Sequence, residues 1–385
     1  MSEFIDTIVV GGGAMGSAAT LELARRGVDV ALFERFAPGH HQGASHGASR
    51  NFNLSYGDPT YLRMLAEALP AWRDLEVETG TRLLDQVGVV NHGRNPSFDD
   101  IAALLPGFGF DAELLSTEEA GRRWPGIRFD DRVLHTPQAG RLNADGAVEA
   151  LQRAATAHGA RVSHHARVTR IEVLGDDRTR VEVVRTDPDG NPLGDTEVFE
   201  SRRLVVTLGA WTAKLLGGAL ALPRFTVTQE QPAHFAERDD SLVWPGFNHL
   251  PTAGDPRYGS WPSPVYGMQT PGEGIKAGWH GVGPVTDPDA RSFRSEPHQL
   301  TALQRYARDW LPGVDADAFT EISCTYTTTE DSNFVIDRIG PVAVGAGFSG
   351  HGFKFTPVVG RYLADLTEGT PAPSLFSLQA QRRGR

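Results

Sequence analysis

The chain begins with apolar and amphipathic stretches whose order predicts a β-α-β unit. Residues Phe4–Val10 form a mostly apolar run, which is typical of a strand buried in a parallel sheet. Small and apolar residues recur at helical spacing over Ser17–Arg26, and Gly27 ends this predicted helix. A second apolar strand is predicted at Val28–Phe33. The whole unit spans about thirty residues, the length expected of one strand–helix–strand crossover.

Apolar periodicity predicts further elements on both sides of an irregular segment, residues 38–58, which is rich in Gly, His, Ser and Asn. A long irregular segment in a compact domain is usually functional or mobile. Residues 175–200 predict an exposed hairpin, and the Pro-, Gly- and aromatic-rich residues 222–285 predict an antiparallel sheet. Further helices are predicted at residues 60–80, 147–158, 300–311 and 357–366, and strands at 83–91, 132–136, 160–171, 204–208 and 341–345.

Composition and charge exclude several classes of protein. The net charge of −11 disfavours a general attraction to nucleic acid or to an anionic membrane. The only cysteine, Cys324, excludes an intrachain disulfide and a zinc site built on paired cysteines, and no metal is predicted. No run of about 18 apolar residues is present, and no signal peptide fits before Phe4. A cytoplasmic location is therefore expected. A lone cysteine such as Cys324 is by default a buried, inert core residue.

A glycine-rich turn between the first strand and the first helix predicts a dinucleotide site. In Gly11-x-Gly13-x-x-Gly16, the first glycine permits a tight turn, the second lets the backbone approach a pyrophosphate, and the third allows close helix–strand packing. Glu34 ends the second strand, where an acidic side chain accepts hydrogen bonds from ribose hydroxyls. Its charge would repel a 2′-phosphate, so FAD or NAD is favoured. The turn alone does not separate these two cofactors.

A second glycine-rich turn lies near the end of the chain, between a predicted strand and a predicted helix. It reads Gly345-x-Gly347-x-x-Gly350-x-Gly352-x-Lys354. Such a turn can bring backbone N–H groups and a cation to the edge of an anionic ring, and reduced flavin carries a negative charge at N1. A tight turn without any ligand is the alternative interpretation.

Taken together, these segments resemble the D-amino-acid-oxidase-like flavoproteins, and within them the family of monomeric sarcosine oxidase and N-methyltryptophan oxidase. The resemblance runs nearly from end to end. It is carried by Gly11–Gly16, Ser45–Arg50, Arg123–Gly126, Thr207–Trp211, Trp244–Phe247, Lys276–His280, Cys324–Thr327 and Gly345–Phe355.

The length and the resemblance together imply an α/β fold with two domains, since 385 residues exceed one ordinary hydrophobic core. The first is a Rossmann-type FAD-binding domain. The second is a discontinuous α+β substrate domain with a mixed or antiparallel sheet. The expected boundaries are residues 1–60, 145–212 and 325–385 for the FAD-binding domain, and residues 61–144 and 213–324 for the substrate domain.

The resemblance assigns roles to individual residues. The family cysteine that matches Cys324 carries FAD as an 8α-thioether, and the lysine that matches Lys276 promotes the reaction of reduced flavin with O2. His280, Tyr266 and Tyr326 match residues that line the substrate cavity, and Arg50 matches a residue near the flavin ring. The remaining cofactor contacts are expected from Gly11, Gly13, Ala14, Met15, Gly16, Glu34, Arg35, Ser45, His46, Val168, Gly209, Trp211, Gly347, Gly350, Gly352 and Lys354.

One position departs from the family pattern. Three residues after Arg50 the family has a second arginine, which pairs with the substrate carboxylate together with the lysine matching Lys354, whereas this chain has Asn53. Bidentate recognition of a carboxylate by a guanidinium is lost with asparagine. Lys354 can still hold an acid group as a point charge. The resemblance therefore leaves the identity of the amine open.

The resemblance implies an FAD-dependent oxidase, active as a monomer, that converts a secondary amine to an imine and reduces O2 to H2O2. An oxidase of a cyclic imino acid or a biosynthetic tailoring oxidase is a close alternative. A non-catalytic flavin-binding subunit is an alternative of another class, although Cys324 and Lys276 argue against it because neither is needed merely to hold FAD. An NAD-dependent dehydrogenase is permitted by the first glycine turn alone.

Overall fold

The predicted β-α-β unit lies at the centre of the first sheet. In the computed structural model, which describes residues 3–218, 220–252 and 254–383, Glu3–Val10 pairs in parallel with Val30–Phe33 on one side and with Pro192–Val206 on the other. Helix Ala14–Arg25 connects the first two strands. In the described part of the chain this sheet has eight strands, Ala166–Gly175, Arg178–Thr186, Pro192–Val206, Glu3–Val10, Val30–Phe33, Arg161–Ser163, Val342–Ala346 and Val335–Ile339.

Close helix packing fixes one face of this sheet. Helix Ala14–Arg25 contacts both Ala144–Ala157 and Thr356–Thr367. A Cβ atom on Gly360 would lie 2.5 Å from the Cβ of Ala18, so only glycine allows the first and last of these helices to approach so closely. The packing brings the end of the chain back to the first turn, and with it the second glycine-rich segment.

The second sheet is mixed. Its strands follow the order Val314–Glu321, Ala233–Glu237, Gly274–Trp279, Val265–Thr270, Gly246–Leu250, Val89–Gly93, Arg132–Thr136 and Glu113–Leu115 within the described residues. Neighbours are antiparallel except at one place, where Gly246–Leu250 runs parallel to Val89–Gly93. Helix Pro297–Trp310 covers one face and buries Leu303, Tyr306 and Ala307.

Shorter elements complete the fold. Two small sheets pair Arg50–Phe52 and Leu84–Asp85 with Gly140–Leu142, and Thr226–Glu230 with Cys324–Thr328. The other α-helices are Pro59–Thr79, Phe98–Leu104, Thr117–Arg123, Thr212–Leu216 and Leu378–Arg383. The 3-10 turns are Leu105–Phe108, Gly209–Trp211, Pro256–Tyr258, Phe353–Phe355 and Ser374–Phe376. None of the helices described is both long and apolar enough to cross a membrane.

The structure corrects several predicted elements. The strand predicted at 160–171 is divided in two, because the chain turns at His165, which has a φ of +54°. The predicted hairpin is present, since Arg178–Thr186 pairs antiparallel with Pro192–Val206. The strand predicted at 204–208 is the end of Pro192–Val206, so the second strand of the hairpin continues into the buried strand. The strand predicted at 83–91 is also two strands. The sheet predicted over 222–285 takes in distant strands and is mixed. The division into two domains and its four boundaries stay a prediction.

Candidate active site

A cavity of about 1200 Å³ is lined by residues from both large sheets and from the two glycine-rich turns. Its lining residues fall into two groups along the fold. The first turn, Glu34 and Trp211 line the end at the first sheet. Tyr266, Lys276 and their neighbours line the end at the second sheet. The cavity thus joins a predicted dinucleotide site to a predicted substrate site.

The first glycine turn has the geometry that a pyrophosphate requires. Gly11 has a φ of +101°, and a Cβ atom on it would lie 2.6 Å from the carbonyl oxygen of Thr207. A Cβ on Gly16 would lie 1.9 Å from the carbonyl oxygen of Gly11, so this glycine allows the helix to pack on the strand. Gly13 is the N-cap of helix Ala14–Arg25, and the N–H of Ala14 donates to Ser45 Oγ at 3.0 Å. Gly13, Ala14 and Ser45 line the cavity, so the positive end of the helix faces it.

Glu34 is buried beside this turn. Its carboxylate accepts hydrogen bonds from the backbone N–H groups of Gly12, at 2.6 Å, and Phe36, at 2.9 Å. The acid is thereby fixed next to the turn, where a ribose can donate to the remaining lone pairs. Helix terminus, turn and acid together fit an adenine dinucleotide without a 2′-phosphate.

The predicted tether Cys324 opens the strand Cys324–Thr328 and is partly exposed to the cavity. The Arg50 Nη2 lies 3.9 Å from its Sγ, and the same guanidinium donates to the carbonyl oxygen of Ser49 at 2.8 Å. Sulfur and guanidinium come from segments 274 residues apart in the chain. The fold thus places a fixed cation beside the thiol.

Lys276 lies in the middle of strand Gly274–Trp279 with only 5% of its surface exposed. Its Nζ donates to the carbonyl oxygen of Ser49 at 3.3 Å. Burial, and secondly the nearby Arg50, lowers the pKa of Lys276 from 10.5 to about 7. The Ser49 hydroxyl is 2.6 Å from Thr270 Oγ1, which in turn is 3.0 Å from Nε2 of His234.

Lys354 is the second buried ammonium group of the cavity. Its Nζ donates to the carbonyl oxygen of His351 at 2.8 Å and to the hydroxyl of Tyr56 at 3.1 Å. An ammonium group has three donors, so one remains for a ligand. Burial lowers the pKa of Lys354 from 10.5 to about 7. The whole sequence contains three lysines, and two of them are buried here. Arginine cannot lose its proton in this range, whereas lysine can.

Two tyrosines and a histidine form an aromatic wall at the second sheet. His280 Nδ1 lies 3.3 Å from the hydroxyl of Tyr326, and the Tyr266 ring stands edge-on to His280 with centroids 6.3 Å apart. Burial, and secondly Lys354, lowers the pKa of His280, so its ring is neutral at pH 7. Gly350 has a φ of +78°, and a Cβ atom on it would meet the Tyr326 ring at 2.2 Å. The second glycine turn thus makes room for this wall.

Asn53 belongs to a cluster of amides that the sequence did not reveal. Asn91 Nδ2 donates to Ser55 Oγ at 2.8 Å and to Asn53 Oδ1 at 3.3 Å, and Asn91 Oδ1 accepts from Asn248 at 2.9 Å. Asn51 Nδ2 donates to Asn248 Oδ1 at 3.3 Å. All five residues line the cavity. Asn91 and Asn248 are polar residues in largely buried strands, and this is the only signal available in the sequence.

The structure brings most of the predicted site residues to this one cavity. Two are absent from its lining. Gly16 supports the turn from behind, and His46 is buried with its ring stacked on His41 at 4.9 Å. The predicted residues that line the cavity are Gly11, Gly13, Ala14, Met15, Glu34, Arg35, Ser45, Arg50, Asn53, Val168, Gly209, Trp211, Tyr266, Lys276, His280, Cys324, Tyr326, Gly347, Gly350, Gly352 and Lys354.

The sequence profile of FAD dependent oxidoreductases matches residues 6–366. The chain belongs to the FAD dependent oxidoreductase family. Monomeric sarcosine oxidase of Bacillus sp. strain NS-129 is 31% identical, and the alignment covers 98% of this chain and 97% of the relative. N-methyl-L-tryptophan oxidase of Yersinia pestis is 27% identical, with 97% and 98% covered. The solved structure of NikD, an unusual amino acid oxidase essential for nikkomycin biosynthesis, has a TM-score of 0.81 at 25% identity, with 97% and 96% covered.

Family membership confirms the predicted α/β flavoprotein fold, the dependence on FAD and the oxidoreductase class. It also confirms the resemblance to monomeric sarcosine oxidase and N-methyltryptophan oxidase. An NAD-dependent dehydrogenase is no longer favoured. The roles of the individual residues stay predictions.

Binding of a small carboxylate such as benzoate should weaken as the pH rises through 7. Lys354 in the free protein loses its proton near that pH, and only the ammonium form attracts the anion. Above pH 7 we expect the Kd, measured from the change in flavin absorbance, to increase about tenfold per pH unit.

The variant Lys354→Met should bind benzoate weakly at every pH and should lose most of this dependence. A wild-type Kd that stays constant between pH 6 and 9 would contradict the assignment of Lys354 as the anion-binding group.

Proposed function

We propose that the protein is an amine oxidase that converts a secondary amine to an imine and reduces O2 to H2O2. The observation that supports this most directly is one cavity that joins an FAD-type turn to an aromatic wall and two buried lysines, Lys276 and Lys354. The named substrates of the two curated relatives, sarcosine and N-methyl-L-tryptophan, are both secondary amines. When bound, the flavin accepts a hydride equivalent from the carbon next to the amine nitrogen and passes the electrons to O2.

The chain contributes binding and electrostatics rather than an evident general base. A cavity with two lysines and Arg50 disfavours a further positive charge, so it favours the neutral form of the amine, the form that can be oxidised. Burial raises the pKa of Tyr266 and of Tyr326, which therefore stay protonated and can donate hydrogen bonds to the substrate. An amine bound against this wall excludes water from the reacting carbon. The imine product is hydrolysed after it leaves.

Lys276 is the residue we assign to O2. A buried, fixed cation stabilises the negative charge that develops as O2 takes up electrons, and a low-dielectric surrounding strengthens that effect. Lys354 lies on another segment and faces Tyr56, so we assign it to the substrate instead.

We further propose that Cys324 carries the flavin as a thioether at the 8-methyl carbon. The exposure of Sγ to the cavity and the Arg50 guanidinium 3.9 Å away support this, because a cation stabilises negative charge on sulfur. The reaction replaces the S–H bond and one methyl C–H bond by a C–S bond. O2 takes up the two hydrogens as H2O2.

The amide cluster limits the chemical class of the substrate. Asn53 and Asn91 offer neutral donors and acceptors where a guanidinium would favour a carboxylate. A secondary amine with a neutral polar group, such as an amide or hydroxyl, matches this wall better than a simple N-methyl amino acid. The described lining of the cavity does not favour a cyclic imino acid or a non-catalytic subunit. A cytoplasmic monomer, as the sequence predicts, is part of the proposal.

Anaerobic mixing with a panel of N-alkyl amines tests the reaction class. We expect secondary amines to bleach the flavin and, in air, to yield H2O2 in equal amount to the imine product. N-methyl substrates should also release formaldehyde. Bleaching without H2O2 in air would indicate a dehydrogenase that uses another acceptor, and no bleaching by any amine would refute the proposal.

The variant Asn53→Arg tests whether Asn53 sets the preference between a charged and a neutral substrate. It should increase kcat/KM for N-methyl amino acids by about tenfold relative to the corresponding N-methyl amides, because a charged hydrogen bond to the carboxylate is gained. An unchanged ratio would mean that Asn53 does not face the substrate.

Acid precipitation tests the tether. The yellow chromophore should stay with the precipitated wild-type protein and should move to the supernatant with the variant Cys324→Ser. Free FAD from the wild-type protein would exclude the covalent bond without affecting the assignment of FAD.

Replacing Lys276 by Met should slow the reoxidation of the reduced enzyme by O2 about 100-fold, because a fixed charge next to the developing anion is lost. Reduction by substrate should change far less, as measured by stopped-flow absorbance. The variant Lys354→Met should show the opposite pattern. Equal losses in both half-reactions of Lys276→Met would argue against a specific role toward O2.

A further inference from the structure

The far face of the second sheet holds a buried cluster of two histidines and one aspartate, His92, Asp130 and His249. Each of the three side chains offers one potential metal-ligand atom, and these atoms all lie within 4.8 Å of one another. No other such group of His, Cys or acidic side chains is found among the residues that the structure describes. We propose that it is a structural binding site for a divalent cation of the zinc type, separate from the active site.

The sheet brings the two histidines together. His92 and His249 are direct partners in the parallel pair of strands Val89–Gly93 and Gly246–Leu250, so their side chains leave the same face. Their ring centroids are 3.8 Å apart. Asp130 approaches from the segment before Arg132–Thr136. Its Oδ1 lies 2.8 Å from Nε2 of His249 and 3.6 Å from Nδ1 of His92.

Unsatisfied polar atoms converge on the same place. His92 is fully buried, and neither of its ring nitrogens has a hydrogen-bond partner, since 3.6 Å is too long for one. Asp130 Oδ2 is also buried without a hydrogen bond. Buried polar atoms nearly always have a hydrogen-bond partner. Several buried polar atoms without partners at one place therefore indicate that an ion or a water binds there.

The ligand chemistry selects the class of ion. Two neutral imidazoles and a carboxylate suit zinc and similar transition metals, whereas magnesium and calcium prefer oxygen ligands alone. With metal–ligand bonds of about 2.0–2.1 Å, tetrahedral ligand atoms lie about 3.4 Å apart. The separations of 2.8 Å and 3.6 Å from Asp130 Oδ1 bracket that value, and the three ligand atoms lie within 4.8 Å of one another, so the side chains must shift when an ion binds. A water can complete the shell.

The charges nearby permit a cation. Asp130 supplies one negative charge, and Arg257 is the neighbouring positive group, with its Nη1 3.9 Å from Asp130 Oδ2. The Arg257 side chain is 57% exposed, and its closer partner is Asp255, at 2.7 Å. Arg257 can therefore remain paired with Asp255 when a cation occupies the site.

The site would fix strands that also line the active-site cavity. Successive residues of a strand point to opposite faces, so His92 and His249 back onto Asn91 and Asn248. Those two asparagines belong to the amide cluster of the cavity. A bound ion would join three segments behind that cluster and hold its strands in register.

Metal analysis of the flavoprotein tests the site. The purified holoenzyme is treated with a chelator, incubated with excess Zn²⁺ or Mg²⁺, desalted and analysed by plasma mass spectrometry. We expect about one Zn²⁺ per flavin and no retained Mg²⁺. Less than about 0.1 Zn²⁺ per flavin, or retention of Mg²⁺ in its place, would overturn the proposal.

Two matched variants locate the ion. His92→Gln should abolish Zn²⁺ retention. His135→Gln should leave it intact, since His135 is a buried histidine of the same sheet whose acidic partner, Glu113, is outside the trio. Full retention by His92→Gln would overturn the proposal. If His92→Gln does not fold, X-ray absorption of the Zn²⁺-loaded wild type decides instead. Two imidazoles with an oxygen ligand support the site, and any other set of protein ligands refutes it.

Discussion

The burial of two lysine ammonium groups in one cavity is the constraint around which the rest of the active site is arranged. Burying a charge is unfavourable unless hydrogen bonds or a ligand compensate for the lost hydration. The Lys276 ammonium group donates a hydrogen bond to one carbonyl oxygen. The Lys354 ammonium group donates to a carbonyl oxygen and to the Tyr56 hydroxyl. Both therefore have pKa values near 7 and donors to spare. Arginine supplies most of the positive charge of this chain, and two of its three lysines are the ammonium groups buried in the cavity.

The two lysines are held by different parts of the fold, and this separation allows different tasks. Lys276 is fixed by strand pairing within the second sheet, with Met268 and His234 as its partners on the neighbouring strands. Lys354 is fixed by the turn that starts helix Thr356–Thr367, which packs against the helix of the dinucleotide turn. Oxygen chemistry and substrate binding can thus be placed at separate points of one cavity, since each cation has its own rigid support.

The second sheet presents two polar clusters on opposite faces. Asn91 and Asn248 face the cavity, while His92 and His249 leave the opposite face, where the His249 ring packs against Trp310 of helix Pro297–Trp310. The alternation of a strand makes this arrangement inevitable once adjacent polar residues occur in two paired strands. Any change that shifts the register of this pair would disturb both clusters at once.

The sequence by itself determined the first β-α-β unit and its dinucleotide turn, because glycine spacing and apolar periodicity act over a few residues and need no distant partner. The family was indicated by the resemblance of segments along nearly the whole chain. The sequence also indicated Cys324, Lys276 and Lys354 through the resemblance. Only the tertiary structure decided that Cys324 lies beside Arg50, that Asn53 joins Asn91 and Asn248, and that the long strand Pro192–Val206 is one element. These features depend on strand pairing and helix packing between segments far apart in the chain. Local sequence patterns do not specify which distant segments come into contact.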